Sequence, residues 1–137
     1  MKAASFDYIR VKTLDEACKA LSEFGEEARI IAGGQTLIPL MAMRLARPSK
    51  LIDINEVEEL AGITIENERL VIKAKTRQAE ALSSNIVNEK LPLLAEALSH
   101  VGHTQTRNLG TIGGSLVNAD PAAEIPLIAQ GRPCTTA

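Results

Sequence analysis

Aromatic residues are scarce in this chain. Its 137 residues include no Trp, one Tyr and two Phe, so the hydrophobic core has to be built almost entirely from aliphatic side chains. Cysteine is scarce as well, since the chain has only Cys18 and Cys134. Two cysteines so far apart predict neither a disulfide framework nor a Cys-x-x-Cys metal site. We therefore expect a cytoplasmic protein with reduced thiols.

Excess charge and long apolar runs are missing too. The net charge of −2 gives no electrostatic footprint for a nucleic acid or an anionic membrane, and we expect neither as a partner. No apolar run approaches the ~20 residues that a membrane-spanning helix needs. The first ten residues lack the apolar core that is typical of a signal peptide. What is left is the composition of an ordinary globular protein, 45% hydrophobic and 23% charged.

The N-terminal part of the chain alternates between strand and helix signals. Residues 1–55 predict the order β-α-β-α-β, which is typical of an α/β unit. The first helix has a capping box, with Thr13 as N-cap and Glu16 as its partner. Thr36 is expected to cap the second helix. Strands are predicted for two short apolar segments, at residues 28–32 and 50–54.

The pattern changes in the second part of the chain. Alternating apolar residues on either side of Asn67-Glu68 predict a β-hairpin. Two helices are expected after it, at residues 77–85 and 91–102. The following stretch, residues 103–124, is long, polar and glycine-bearing, which predicts a loop that is either functional or disordered. Asp120 is expected to cap a helix near its end.

Two glycine pairs point to a ligand. Gly33-Gly34 follow a predicted strand and precede a predicted helix, and Gly113-Gly114 lie in the long polar stretch. Glycine permits a positive φ and lets a ligand approach the backbone closely, although a tight turn explains each pair equally well. Neither pair belongs to a P-loop or to a GxGxxG dinucleotide motif. Together the two segments could clasp a pyrophosphate through backbone N–H groups, with side-chain donors from Gln35, Thr36, Thr111 and Ser115.

The stretches AGGQTLIPLMAMRLARPSKLIDI and TRNLGTIGGSLVNADPAAEIP closely resemble the FAD-binding medium subunit of the molybdenum hydroxylases. This family includes aerobic carbon monoxide dehydrogenases and xanthine dehydrogenases. The resemblance runs from about residue 3 to residue 129, with both motifs in order. It implies an α+β fold of the vanillyl-alcohol oxidase (PCMH) type, in which two small α/β subdomains hold FAD between them. The implied FAD-binding subdomains are residues 1–55 and residues 56–137, the second incomplete at its C-terminus.

The resemblance also implies which residues contact the cofactor. It assigns no catalytic and no metal-ligating residue to this chain, because the subunit holds the flavin and does no acid–base chemistry on a substrate. Related proteins often have serine at position 36 and asparagine at position 115. Here Thr36 keeps the hydroxyl of serine, and Ser115 is a smaller donor than asparagine. The implied FAD contacts are Ile31, Ala32, Gly33, Gly34, Gln35, Thr36, Leu37, Thr111, Ile112, Gly113, Gly114, Ser115, Asp120 and Glu124.

The implied function is that of an oxidoreductase subunit in electron transfer. Electrons would come from a molybdopterin-containing large subunit through the 2Fe-2S clusters of a small subunit, reach FAD, and pass to an external acceptor. The expected assembly is a hetero-oligomer. Family members are considerably longer, and the ending IAQGRPCTTA is not the expected apolar strand, so we expect a C-terminally truncated form. Two alternatives stay open: a flavin-free α/β fragment that acts as an interaction module, and a stand-alone vanillyl-alcohol oxidase-type flavoenzyme.

A few other polar residues are weaker candidates. His100 and His103 could form part of a metal or acid–base site, but no third ligand is apparent in the sequence. Arg107 lies beside the second glycine pair, where it could contact a phosphate or a partner subunit, although a solvated loop cation is the more ordinary interpretation. Tyr8 could cover a ring system or simply occupy an edge strand.

Overall fold

A computed structural model describes residues 1–131, so the prediction for the chain's ending and Cys134 lie outside the described residues. The chain divides into two compact units, Met1–Leu60 and a second that begins at Ala61. Helices and strands occur in both units, and the α+β class is the one predicted. No helix among the described residues is long and apolar enough to cross a membrane.

The first unit is built on a three-stranded parallel sheet. The strands are β1 (Asp7–Arg10), β2 (Ala28–Ile31) and β3 (Lys50–Asp53), in the order β1-β3-β2. The helices between them are α1 (Leu14–Phe24) and α2 (Leu37–Ala42). The predicted β-α-β-α-β order is therefore confirmed, with short 3-10 helices added at Gly25–Glu27 and Glu58–Leu60.

Helix α1 begins as the capping signal predicts. The Thr13 side chain accepts a hydrogen bond from the Glu16 backbone N–H at 3.2 Å. The Glu16 carboxylate reaches back to the backbone N–H of Lys12 at 2.7 Å, one residue before the N-cap. Both bonds satisfy donors near the helix start that the helix itself leaves without partners.

Aliphatic side chains form the core of the first unit, as the shortage of aromatics requires. Strand β3 is central in the sheet, so Leu51 and Ile52 are almost completely buried. Packing of α1 and of the segment after β3 against the sheet completes this core. Its buried members are Val11, Ala17, Ala20, Ala28, Ile52, Ile54 and Val57.

The second unit opens with the predicted hairpin. Strands β4 (Ile63–Glu66) and β5 (Arg69–Ile72) pair antiparallel. Asn67 and Glu68 both adopt positive φ, 49° and 64°, which is the backbone of a type I′ turn. The register brings Glu66 opposite Arg69, so the turn lies directly between a pair of opposite charges.

Six short helices follow the hairpin in the part of the chain that the structure describes. They are α3 (Gln78–Ser83), α4 (Asn85–Lys90), α5 (Pro92–His100), α6 (Thr104–Leu109), α7 (Ile112–Asn118) and α8 (Glu124–Gln130). The predicted helices correspond to α3 and α5, whereas α4 was not predicted. Most of the predicted polar loop is helical instead, so that prediction was wrong. The buried core comprises Ala81, Val87, Leu94, Ala95, Leu98, Ile112 and Ile125.

Candidate cofactor site

The first glycine segment, residues 31–37, leaves the sheet at the C-terminal end of β2 and leads into α2. In open α/β sheets this end of the strands is where ligands usually bind. Gly34 has φ +68°, a conformation that favours glycine. An added Cβ at this position would lie 3.0 Å from Cγ1 of Ile38 and 3.4 Å from Cδ1 of Ile31. Backbone conformation and close packing therefore both require a glycine at position 34.

The carbonyl groups of this segment are used within the protein. The Ile31 carbonyl accepts from the Ile54 amide at 3.1 Å. Four further carbonyls accept hydrogen bonds as well, which fixes the orientation of the peptide planes to which they belong. The acceptor and donor pairs are Ala32 with the Asn55 side chain at 2.8 Å, Gly33 with the Gln35 side chain at 3.0 Å, Gly34 with the Ile38 amide at 3.0 Å and Thr36 with the Leu40 amide at 3.2 Å.

The amide groups of the same segment, unlike its carbonyl groups, have few hydrogen-bond partners within the protein. Within residues 1–131, no protein group accepts a hydrogen bond from any of the five consecutive amides from Gly33 to Leu37. Gln35 and Thr36 are exposed. A run of backbone donors without internal acceptors suits an anion, because each N–H carries partial positive charge and no lysine is needed. The residues present in this segment therefore fit a phosphate-bearing cofactor.

Thr36 does not cap helix α2 with its side chain, contrary to the prediction. It stands at the N-cap position of α2, but its φ and ψ are −104° and −46°, and its side chain makes no capping hydrogen bond. An N-cap residue normally has an extended backbone, which brings its side-chain oxygen to the first-turn amides. The predicted cap is thus wrong, and the hydroxyl is not engaged in holding the helix.

A buried carboxylate lies next to the start of the first glycine segment. Asp53, at the end of β3, is 7% exposed. Its Oδ2 accepts a hydrogen bond from the Tyr8 hydroxyl, and its Oδ1 accepts from the backbone N–H and from the side-chain Nδ2 of Asn55 at 2.8 and 2.7 Å. Burial raises the pKa of the Asp53 carboxyl, but these hydrogen bonds outweigh burial and the net pKa is lowered below its ordinary value of 3.8. Asp53 is therefore held as a carboxylate.

Only the position of Asp53 in the sequence pointed to this group. In the sequence, Asp53 belongs to a predicted strand and Asn55 follows it, and Tyr8 either covers a ring system or occupies an edge strand. A polar side chain that ends a buried strand at the ligand-binding edge of a parallel sheet is the signal that could have found them. Arg10 adds a positive charge here, with its guanidinium 5.8 Å from the centre of the Tyr8 ring and 3.1 Å from the Glu56 carboxylate.

The second glycine segment, residues 111–115, forms the beginning of α7. Thr111 is the N-cap, and its buried side-chain oxygen accepts from the Gly114 amide at 3.0 Å. The remaining amides from Ile112 to Ser115 also have protein acceptors. The pairs are Ile112 with the Thr76 carbonyl at 3.0 Å, Gly113 with the Ala74 carbonyl at 2.8 Å and Ser115 with the Thr111 carbonyl at 3.2 Å. These amides do not fit the predicted role of pyrophosphate donors.

Gly113 is required here for packing. A Cβ at this position would lie 2.6 Å from Cβ of Ala74 and 2.7 Å from its carbonyl oxygen. Contacts that short do not occur, so the backbone of α7 can approach the segment after β5 only if residue 113 has no side chain. The atoms of this segment that remain open to a ligand are those of exposed Gly114 and the Ser115 side chain.

Two other predicted contacts, Asp120 and Glu124, lie near the start of α8. This helix does not begin where the sequence predicts. Helix α8 begins at Glu124, with Ala123 rather than Asp120 as its N-cap. Asp120 instead accepts a hydrogen bond from the Ala122 amide at 2.9 Å, which closes a turn before the helix. Glu124, in the first helical turn, is half-buried.

Arg107 has a structural role in the described part of the chain. Its Nη1 donates to the carbonyl oxygens of Val101 and Gly102 at 2.9 and 3.0 Å. These carbonyl groups directly follow α5, where the helix itself supplies no donor for them. His100 and His103 are exposed. Among residues 1–131, no group of three or more His, Cys, Asp or Glu is arranged to hold a metal ion.

A parallel-sheet unit with a glycine segment of unengaged amides, followed by a hairpin and helix unit, defines a nucleotide-cofactor-binding domain. Residues 4–131 match the family described as the FAD binding domain in molybdopterin dehydrogenase. The chain belongs to this family. The resemblance seen in the sequence is confirmed, and with it FAD as the cofactor.

Individual relatives agree with this assignment. The alpha subunit of the 6-hydroxypseudooxynicotine dehydrogenase complex from Paenarthrobacter nicotinovorans is 46% identical over 128 residues, which cover 93% of this chain and 43% of that protein. The carbon monoxide dehydrogenase medium chain of Hydrogenophaga pseudoflava is 42% identical over 123 residues, 90% of this chain and 43% of that protein. The chain thus spans less than half the length of these curated relatives.

Solved structures show the same fold. Carbon monoxide dehydrogenase from Hydrogenophaga pseudoflava matches with a TM-score of 0.92 and 42% identity, covering 94% of this chain and 45% of that one. Quinoline 2-oxidoreductase from Pseudomonas putida 86 matches with a TM-score of 0.88 and 40% identity, covering 92% of this chain and 44% of that one. The predicted FAD-binding fold is therefore confirmed.

Proposed function

We propose that this chain holds FAD as part of the flavin subunit of a molybdenum hydroxylase complex. The observation that carries the proposal is the run of five amides from Gly33 to Leu37 that have no acceptor within residues 1–131. The segment has no cationic side chain, so a phosphate would be bound by backbone dipoles and hydroxyl or amide side chains. Buried or half-buried amides left without partners are costly, and a bound pyrophosphate would supply the missing acceptors.

The proposed contacts differ in kind between the two glycine segments. In the first segment, backbone amides and the Thr36 hydroxyl would donate to phosphate oxygens, while the Gln35 amide group holds the Gly33 carbonyl in place. In the second segment, Ser115 and the open backbone surface at Gly114 are the groups left to contact the cofactor. Of the contacts that the resemblance implies, the ones we propose for FAD are Ile31, Ala32, Gly33, Gly34, Gln35, Thr36, Leu37, Gly114, Ser115, Asp120 and Glu124. Thr111, Ile112 and Gly113 would instead hold the backbone of the second segment in place through the hydrogen bonds and the close packing described above.

The proposed place of the subunit in the reaction follows from its family. Bound FAD supplies one- and two-electron redox chemistry, and the proposed electron path runs from a molybdopterin-containing large subunit through a 2Fe-2S small subunit to an external acceptor. One relative named above is a subunit of a dehydrogenase complex and another is a dehydrogenase medium chain, which supports a hetero-oligomeric oxidoreductase. The proposed cytoplasmic location rests on the scarcity of cysteine alone. The task of this chain's own residues is to bind and orient the cofactor. The proposed binding subdomains are residues 1–55 and 56–137.

Flavin retention tests the proposal directly. The 137-residue chain is expressed, mixed with FAD, passed through a gel-filtration column and examined for the visible flavin absorption bands. We expect flavin to elute with the protein at a near-equimolar ratio. Riboflavin, which lacks the pyrophosphate, serves as the matched ligand control and should be lost on the column. A chain that is folded by circular dichroism but retains no FAD would contradict the proposal and favour the flavin-free interaction module.

A further inference from the structure

A series of hydrogen bonds joins strand β1 of the first unit to the C-terminal ends of β3 and β2. We call Tyr8, Asp53 and Asn55 the strand-end clamp. Tyr8 on β1 donates to Asp53 on β3, Asp53 accepts from Asn55, and the Asn55 Nδ2 also donates to the carbonyl oxygen of Ala32 at 2.8 Å. Ala32 directly follows β2 and is the first residue after it in the glycine segment. The clamp thus ends on the peptide bond that precedes Gly33.

We propose that Asn55, oriented by Asp53 and Tyr8, is a positioning residue that aims the Gly33 amide at the FAD pyrophosphate. The inference rests on the proposed function, because it assigns a ligand to that amide. Within residues 1–131 the Gly33 N–H has no acceptor, whereas the carbonyl of the same peptide unit is bound by Asn55. The clamp therefore acts on the ligand-binding segment from outside it.

Peptide geometry transmits the effect. The peptide bond between Ala32 and Gly33 is trans, as are all those described, so its C=O and N–H point in opposite directions from one rigid plane. A hydrogen bond that fixes the Ala32 carbonyl toward Asn55 consequently fixes the Gly33 N–H away from Asn55. Glycine at positions 33 and 34 leaves the neighbouring dihedrals freer than any other residue would. Without an external bond, this peptide plane could rotate at little cost.

The chemistry of Asp53 explains why Asn55 presents its donor. An ionised carboxylate only accepts hydrogen bonds, and Asp53 already receives the Tyr8 hydroxyl and the Asn55 backbone N–H. The Asn55 side chain can therefore approach Asp53 only with its NH₂ group, whose second hydrogen is then directed at Ala32. A buried carboxylate that is fully hydrogen-bonded is a rigid support, which is what a positioning role needs.

The test compares Asn55→Ala with a matched control, Asn88→Ala. The Asn88 side chain likewise donates to two acceptors, the carbonyls of Leu82 and Ser84 at 3.0 and 2.8 Å, but in the second unit. In the FAD-free 137-residue chain, the ¹⁵N–¹H signals of Gly33 and Gly34 should shift or broaden in Asn55→Ala and stay unchanged in Asn88→Ala. Unchanged glycine signals in both variants would overturn the clamp, whether or not FAD binds.

FAD titration gives the second part of the test. We expect Asn55→Ala to weaken FAD binding about tenfold and Tyr8→Phe about threefold, the size of effect that losing one hydrogen bond has. The ³¹P signals of bound FAD should shift in Asn55→Ala, which a general loss of stability would not cause. Equal affinity and equal ³¹P signals in Asn55→Ala and the unmodified chain would overturn the positioning role. An unmodified chain that binds no FAD would instead refute the proposed function and, with it, the assigned ligand.

Discussion

The two glycine pairs look alike in the sequence but serve different purposes in the structure. Gly33-Gly34 belong to a segment whose carbonyls are held by the protein and whose amides are left for a ligand. Gly113-Gly114 begin a helix, and their amides bind the Ala74 carbonyl and the Thr111 side chain. The first pair therefore provides donors, whereas the second pair allows two backbones to approach. A glycine motif in a sequence can identify a family, but it does not show whether the glycines leave amide donors for a ligand or allow two backbones to pack closely.

The largest effect should follow from Gly113→Ala. The new methyl group would overlap Ala74, its nearest atom only 2.6 Å away, and overpacking against backbone commonly costs about 1–3 kcal/mol or more. We expect a loss of about 3 kcal/mol in the free energy of unfolding, measured by urea denaturation. Gly131→Ala is the control, since its nearest neighbour is 3.6 Å away. Equal stability of the two variants would contradict the packing role of Gly113.

Gly34→Ala should separate ligand binding from stability. A positive φ costs a non-glycine residue about 1–2 kcal/mol, so the variant should lose about that much stability. Gly25→Ala is matched to it, because Gly25 has φ +52° and open space where a Cβ would lie. Both variants should lose stability, Gly34→Ala somewhat more because its methyl group would also lie 3.0 Å from Cγ1 of Ile38. Only Gly34→Ala should also lose FAD affinity in titrations. If Gly25→Ala weakened FAD binding as much as Gly34→Ala, the loss of affinity would not be specific to the first glycine segment.

Two threonines provide a finer comparison. Thr111 caps α7, so Thr111→Val should cost about 1 kcal/mol of stability in urea denaturation. Thr36 makes no capping hydrogen bond, so Thr36→Val should change stability by less than about 0.5 kcal/mol while weakening FAD binding. A stability loss in Thr36→Val equal to that in Thr111→Val would show that position 36 acts as a cap after all.

The smallest effect concerns pH. Because the pKa of Asp53 is lowered in the folded state, its contribution to stability is fully present above the unfolded pKa of about 3.8 and is lost as pH falls through the lower folded value. The melting temperature should therefore decrease below about pH 4. Asp53→Asn cannot titrate and should show a shallower decrease over the same range. Parallel curves for the two proteins would mean that other carboxyls account for the whole pH dependence.

Local sequence signals predicted the elements that depend on local chemistry. The Thr13–Glu16 cap, the parallel strands and the hairpin at Asn67-Glu68 all follow from neighbouring residues. Helix α7 was missed because two glycines each disfavour a helix by about 1 kcal/mol, a cost that its Thr111 cap and its packing offset. Helices of six or seven residues are also too short to show a clear apolar period.

The roles of individual residues were missed where the explanation involves residues far apart in the chain. The need for glycine at position 113 depends on Ala74, and the orientation of Ala32 depends on Asn55. Nothing in the local pattern around either glycine pair contains this information. The role of Asp53 likewise appears only once Tyr8, forty-five positions earlier, is placed beside it.

The strand-end clamp also gives the protein an optical reporter. Tyr8 is the single tyrosine in a chain without tryptophan, so the near-ultraviolet emission of the apoprotein comes almost entirely from one phenol. That phenol donates to the Asp53 carboxylate, and a hydrogen bond from a phenol to a carboxylate is expected to quench the fluorescence of the phenol. Any event that breaks this contact should therefore brighten the protein. The state of the strand ends can be followed in the unlabelled protein, with no extrinsic dye.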